Sequence, residues 1–74
     1  MERYRNLGGG SGVVAFEIAP RAITVQFADG GKYVYDHASP GKGHVAEMKR
    51  LAKAGRGLAT YINRHVRENY ARKL

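Results

Sequence analysis

The amino-acid sequence predicts an α+β domain in which a three-stranded antiparallel β-meander is followed by two helices packed on one face. A change of periodicity along the chain supports this prediction. Up to about residue 36, hydrophobic residues alternate with polar ones, whereas from about residue 44 they recur every three or four positions. The first period is typical of strands and the second of amphipathic helices. With 74 residues, the chain is long enough for one small domain.

The first two predicted strands span residues 13–18 and 22–27. Pro20 lies between them, where its fixed φ and its missing N–H donor favour a turn. Alternate positions in both strands are hydrophobic, which predicts one buried face. The residues predicted on that face are Val14, Phe16 and Ile18 in the first strand and Ile23, Val25 and Phe27 in the second.

The third predicted strand runs from residue 32 to about residue 36, after a hairpin signal at residues 29–31. The length of the hairpin loop decides which way its tyrosines point. A two-residue loop pairs Val25 with Val34 and turns Tyr33 and Tyr35 away from the hydrophobic face, where they could stack with a ligand. A three-residue loop with a left-handed Gly31 pairs Val25 with Tyr35 and places both tyrosines in the core. The residue pattern leaves both registers open.

Two helices are predicted after the strands. The first begins at residues 39–40 or nearer His44, because the serine can cap a helix and the proline suits a first turn, but two nearby glycines weaken that turn. It ends at Gly55, a residue type that favours the left-handed conformation beyond a helix. The second helix is predicted from about Leu58 to about Arg72, with one hydrophobic side that faces the sheet.

The N-terminal residues 1–11 are predicted to form a flexible arm ahead of a domain that spans residues 12–74. Four of the five residues at positions 8–12 are glycine. Glycine restricts the backbone least, so this stretch is expected to act as a flexible joint.

The formal net charge of +7 lies entirely in the second half of the chain. Basic and acidic residues cancel over residues 1–40, whereas residues 41–74 carry nine Lys and Arg against two Glu. A one-sided basic surface attracts polyanions, of which nucleic acid is the most common. The alternative is a solvated basic face that keeps a small protein in solution.

The second helix is expected to present Asn63, Arg64 and Arg67 to solvent. Arginine makes strong bidentate bonds to phosphate, and an amide can read the edge of a base. Basic residues of the first helix and the tyrosines of the third strand complete a candidate nucleic-acid interface. Its predicted members are Lys49, Arg50, Lys53, Arg56, Asn63, Arg64, Arg67, Tyr33 and Tyr35.

A series of short motifs along residues 11–72 carries a family resemblance. The motifs are Phe27, the turn at Asp29-Gly30, Tyr33-x-Tyr35, Pro40 before a helix, Tyr61-Ile62-Asn63-Arg64-x-Val66-Arg67, and Tyr70. Their order and spacing resemble the KTSC domain, a small bacterial module at the C-terminus of some lysyl-tRNA synthetases that also occurs alone in bacteria and phages. The resemblance implies the meander-and-helices fold and favours RNA, including tRNA, as the partner.

The chain departs from the pattern of that family in places, including residues 42–43 and residues 57–60. Asp36 stands where an aromatic residue commonly follows the second tyrosine. Residues 68–69 replace a usual helix-ending glycine and basic residue, which predicts a longer last helix here.

The predicted function is a non-catalytic binding module for RNA or another polyanion. A protein–protein or self-association module is the alternative, because exposed Tyr and Arg also anchor protein interfaces. The chain contains no Cys, and its histidines lack the i,i+4 spacing of a helical metal site, so no metal or cofactor is expected. A ribonuclease that uses His44 or His65 is the catalytic alternative. No membrane span or signal peptide is expected, which favours the cytoplasm.

Overall fold

The computed structural model describes residues 1–9 and 11–74, and its centre is a five-stranded antiparallel sheet. The strands are β1 (Glu2–Arg3), β2 (Val13–Ala19), β3 (Ala22–Phe27), β4 (Lys32–Asp36) and β5 (Arg72–Lys73). Strands that are neighbours in number are neighbours in the sheet. The α+β class is confirmed, but the three-stranded sheet is wrong. The short β1 and β5, which come from the two ends of the chain, pair with the outer strands of the predicted meander.

The helical half consists of α1 (Lys42–Ala54), α2 (Leu58–Tyr61) and a π-helix (Ile62–Val66) that continues α2. The predicted end of α1 is confirmed, because Gly55 follows it with a left-handed φ of 78°. Its start differs from the prediction: Gly41 precedes the helix without a side-chain cap, and the Ser39 hydroxyl instead donates to Asn69.

The prediction that the last helix reaches Arg72 is wrong. The helix ends at Val66, and the chain then turns back to form β5 beside β4. The N–H of Ala71 donates to the carbonyl of Val34 at 2.7 Å, and that of Leu74 donates to Lys32 at 2.8 Å. Pairing along an open strand edge therefore outweighs the local helix preference of these residues.

A β-bulge in β2 exchanges the predicted roles of two adjacent valines. Val13 pairs with Phe27, whereas the next paired position is Ala15 with Gln26, so Val14 is the extra residue. Val13 is 1% exposed and Val14 is 40% exposed. The prediction of Val14 as a core residue is therefore wrong, because the bulge shifts the alternation by one position.

The β3–β4 hairpin has a three-residue loop at residues 28–30. The N–H of Gly30 donates to the carbonyl of Phe27 at 2.9 Å, and the N–H of Phe27 donates to Gly31 at 2.8 Å. Gly30 has a φ of 94°, and the carboxylate of Asp29 accepts from the N–H of Gly31 at 2.9 Å. The left-handed residue is thus Gly30 rather than Gly31.

This loop produces a register that matches neither predicted pairing. Val25 pairs with Tyr33, and Ile23 pairs with Tyr35. Residues paired across two strands lie on the same face of a sheet. Both tyrosines therefore lie on the hydrophobic face, as in the predicted three-residue case.

The segment predicted as a flexible arm takes part in the fold. Its residues 2–3 form β1, and the side chain of Tyr4 is 3% exposed. The hydroxyl of Tyr4 accepts a hydrogen bond from the N–H of Leu58 at 3.2 Å, at the start of α2. The folded unit thus begins before residue 12. The predicted glycine joint includes Gly10, which lies outside the described residues.

One hydrophobic core joins the sheet to both helices. The helices supply their hydrophobic sides to it, as their periodicity predicts, and the sheet supplies one face. Its buried members are Tyr4, Val13, Phe16, Ile23, Val25, Tyr35, Val45, Met48, Ala52, Leu58, Ile62 and Val66.

Candidate nucleic-acid interface

An open groove of about 750 Å³ lies between the β3–β4 hairpin, the π-helix and the segment that follows it. Part of its lining is aromatic, from strands β3 and β4 and from the C-terminal segment. The rest is polar, from the hairpin loop and the end of the π-helix. The side chains that define it are Phe27, Tyr33, Tyr35 and Tyr70 together with Asp29, Asn63, Arg67 and Glu68.

The aromatic part of the groove is a chain of ring contacts. Tyr33 lies between Phe27, with ring centroids 5.6 Å apart, and Tyr70, with ring centroids 4.9 Å apart. Tyr70 also meets Tyr35 edge-on at 6.4 Å. Tyr33 and Tyr70 are half-buried, so each retains ring surface that a planar ligand could cover.

Tyr35 does not share this accessibility, although it was predicted as a binding residue. Its side chain is 1% exposed and belongs to the core. Burial, with smaller contributions from Tyr33 and Tyr70, raises the pKa of Tyr35 to about 12. Tyr35 therefore acts mainly as a support beneath the other rings.

Arg67 reaches the groove from a backbone conformation that L-residues rarely adopt. It has φ 43° and ψ −114°, and the N–H of Asn69 donates to the carbonyl of Val66 across it at 2.7 Å. These angles are near those of the first central residue of a type II′ turn, a position dominated by glycine. Such a conformation costs a non-glycine residue about 1–3 kcal/mol and tends to occur at functional sites.

Asn63 lies where the groove meets a second concavity of about 380 Å³. This second concavity has a polar lining that includes Ser11, Arg56 and Thr60. Gly12 also lines both spaces. The two concavities thus form one path, aromatic at the end near Tyr33 and polar at the end near Arg56.

The basic residues of α1 lie apart from this path. The ammonium of Lys49 donates to the carbonyl of Ala19 at 2.7 Å. Arg50 forms a bidentate ion pair with Glu47, and that hydrogen bond lowers the pKa of Glu47 and raises the pKa of Arg50. Lys53 is exposed on the same helix. The predicted single basic face is therefore divided between α1 and the π-helix.

The structure separates the predicted site residues into two groups. Those that line the path are Tyr33, Tyr35, Arg56, Asn63 and Arg67, with Arg64 exposed on the π-helix beside them. Those on α1 are Lys49, Arg50 and Lys53.

Several residues at the groove were not predicted as site residues, among them Phe27, Asp29, Glu68 and Tyr70. Tyr70 forms one wall, and the ammonium of Lys73 lies 5.5 Å from the ring centroid of Tyr33. The positions of Val66, Tyr70 and Leu74 repeat every four residues, which is helical spacing. The local pattern therefore contained no signal for a turn at Arg67 and a returning strand.

Among the described residues, no three or more His, Cys, Asp or Glu side chains are grouped so that they could hold a metal ion. In the same part of the chain, no helix has both the length and the apolar character needed to cross a membrane. Comparisons with protein-family models, curated proteins and solved structures give no match for this chain. The KTSC resemblance stays a prediction, and the groove is the feature from which a function can be inferred.

Proposed function

We propose that this chain is a non-catalytic RNA-binding module and that its groove holds single-stranded RNA. The observation that carries the proposal is Arg67, a cationic residue kept in a glycine-like conformation at the groove that Tyr33 also lines. Because a glycine would occupy that turn at lower cost, the arginine side chain is expected to have a role of its own.

The aromatic end of the groove suits an unstacked base. The half-buried rings of Tyr33 and Tyr70 offer surfaces for stacking, and each stacked base contributes about 1–3 kcal/mol. The guanidinium of Arg67 can bind an adjacent phosphate, and the exposed amide of Asn63 can bond to a base edge.

The polar end of the path offers contacts for the part of a bound RNA strand that extends beyond the aromatic rings. From Asn63 the path leads to Arg56, and Arg64 lies on the exposed side of the π-helix. The net charge of +7 favours approach of a polyanion from a distance. The KTSC resemblance favours RNA, including tRNA, over DNA, and the proposal places this binding in the cytoplasm.

Salt titration of binding to a fluorescently labelled single-stranded RNA tests the proposal. Arg67→Ala should weaken binding for many sequences and reduce the salt slope by about one unit. Tyr33→Ala should reduce binding by about 1–3 kcal/mol with little change in slope, because it removes a stacking surface and no charge. Arg21→Ala is the matched control, since Arg21 is exposed in the β2–β3 turn.

The same titration distinguishes the alternative of a protein–protein or self-association module. The half-buried Tyr33 and the exposed Arg67 could anchor a protein partner as well as RNA. A protein contact centred on an aromatic residue depends little on salt and survives ribonuclease treatment, whereas phosphate binding weakens steeply with salt. Wild-type protein that retains no RNA at low salt would contradict the proposed function.

A further inference from the structure

A second cluster of ionisable side chains lies outside the groove, between α1 and the helical segment formed by α2 and the π-helix. The Nδ1 atom of His44 lies 2.7 Å from the hydroxyl oxygen of Tyr61. The rings of Tyr61 and His65 are tilted by 37° with centroids 4.5 Å apart, and the centroids of His44 and His65 are 6.2 Å apart. His44 and Tyr61 are half-buried and His65 is exposed.

This cluster can gain protons without losing its internal contacts. The Nδ1 atom of a neutral His44 accepts a hydrogen bond from the Tyr61 hydroxyl. The Nδ1–H of a protonated His44 donates a hydrogen bond to the same oxygen. A protonated His65 lies against the face of Tyr61, where a ring attracts a cation. Protonation of either imidazole adds positive charge here.

The charged groups around the cluster leave room for an anion. On α1, Glu47 is held by Arg50 in an ion pair. On the π-helix, Arg64 precedes His65 and is exposed. Burial and the charge of Glu47 both raise the pKa of Tyr61, so its phenol stays neutral at neutral and acidic pH.

We infer that His44 and His65 form a phosphate-binding site that becomes charged on mild acidification and adds a contact to RNA held in the groove. Two imidazolium ions at this spacing repel each other unless an anion lies between them. A phosphodiester carries two free oxygens, one for each ring. Asn63 and Arg67 line the groove, and His65 lies between them on the same π-helix. This inference rests on the proposed RNA binding.

The test compares the salt dependence of binding to a labelled oligouridine at about pH 7.5 and about pH 5.5, which bracket histidine titration. Oligouridine is chosen because its bases do not titrate in this range. For the wild-type protein, the salt slope should steepen by about one to two units at the lower pH. His44→Gln and His65→Gln should each remove about half of that change, and the double variant should remove all of it.

The third histidine provides the matched control. His37 lies in the turn after β4, and its N–H donates to the carbonyl of Arg21. His37→Gln should therefore keep the wild-type pH dependence. Because His65 is exposed, His65→Gln is expected to fold even if His44→Gln does not, and thermal unfolding of each variant checks this.

Each outcome bears on one proposal at a time. RNA binding with the same slope at both pH values, or pH dependence that survives in the double variant, would overturn the phosphate site and leave RNA binding in place. Absence of RNA binding at both pH values would contradict the proposed function instead. In that case, the phosphate site is tested separately by following the NMR resonances of the imidazole protons. Inorganic phosphate at the lower pH should shift those of His44 and His65 more than that of His37, and equal or absent shifts overturn the site.

Discussion

The rings of Tyr33 and Tyr70 lie 4.9 Å apart and join the C-terminal segment to the centre of the sheet. The sequence positions of these residues gave no indication of this contact, because Tyr70 was expected on a helix. The contact makes the segment after Val66 a wall of the groove as well as the partner of β4. Changes to Tyr70 should therefore affect both stability and binding.

We expect Tyr70→Ala to lower the free energy of unfolding by about 1–3 kcal/mol, because it removes two ring contacts and part of the half-buried surface. Tyr70→Phe is the matched control, since it keeps both ring contacts and should stay within about 1 kcal/mol of wild type. Urea unfolding measures both variants. If Tyr70→Ala were as stable as Tyr70→Phe, the C-terminal segment would not be packed as described.

Replacing Arg67 with glycine should separate stability from binding. Glycine relieves about 1–3 kcal/mol of backbone strain at this turn, against about 0.5–1 kcal/mol for its greater freedom in the unfolded chain. Arg67→Gly should thus be more stable than Arg67→Ala, which keeps the strain, while both lose RNA affinity. Thermal unfolding ranks the variants. An Arg67→Gly protein less stable than Arg67→Ala would show that the turn is not strained.

Alkaline pH should destabilise the protein through Tyr35. Its pKa is raised to about 12 in the folded state, whereas the unfolded phenol titrates near about 10. Between these values the folded state keeps a proton that the unfolded state has lost, so the free energy of unfolding falls as pH rises. The contribution is fully present below about pH 10 and amounts to about 2–3 kcal/mol.

Urea unfolding at a series of pH values checks this prediction, with Tyr35→Phe as the comparison. The phenylalanine variant lacks the titrating group and should lose less stability over the same rise in pH. Equal losses in the two proteins would show that Tyr35 does not carry the effect.

The β-bulge predicts opposite tolerances at adjacent positions. Val13→Asp should prevent stable folding, because it places an unpaired charge at a site that is 1% exposed. Val14→Asp should cost about 1 kcal/mol or less, since its side chain faces solvent. Circular dichroism melts of the two variants measure the difference. If Val14→Asp were the more destabilising variant, β2 would have no bulge at this position and Val14 would face the core.

Local sequence patterns determined most of the elements. The alternation in β2 and β3, the hairpin signal before β4 and the helical spacing of α1 each depend on neighbouring residues, and Gly55 ends α1 because of its own backbone freedom. Of the residues predicted on the hydrophobic face of the strands, Phe16, Ile23 and Val25 belong to the buried core, Ile18 and Phe27 pack against it, and Val14 is exposed. The same patterns predicted the exposure of Asn63, Arg64 and Arg67, which the structure shows as exposed.

Only the tertiary structure decided the edges of the sheet and the composition of the groove. Residues at both chain ends form strands because distant strand edges offer hydrogen-bond partners, which local propensity does not record. The register that places Tyr33 and Tyr35 on the hydrophobic face depends on one loop residue, since a shift by one position exchanges the faces. Arg67 lines the same groove as Tyr33 and Tyr70 because the chain reverses at a turn whose cost is offset by the strand pairing that follows it.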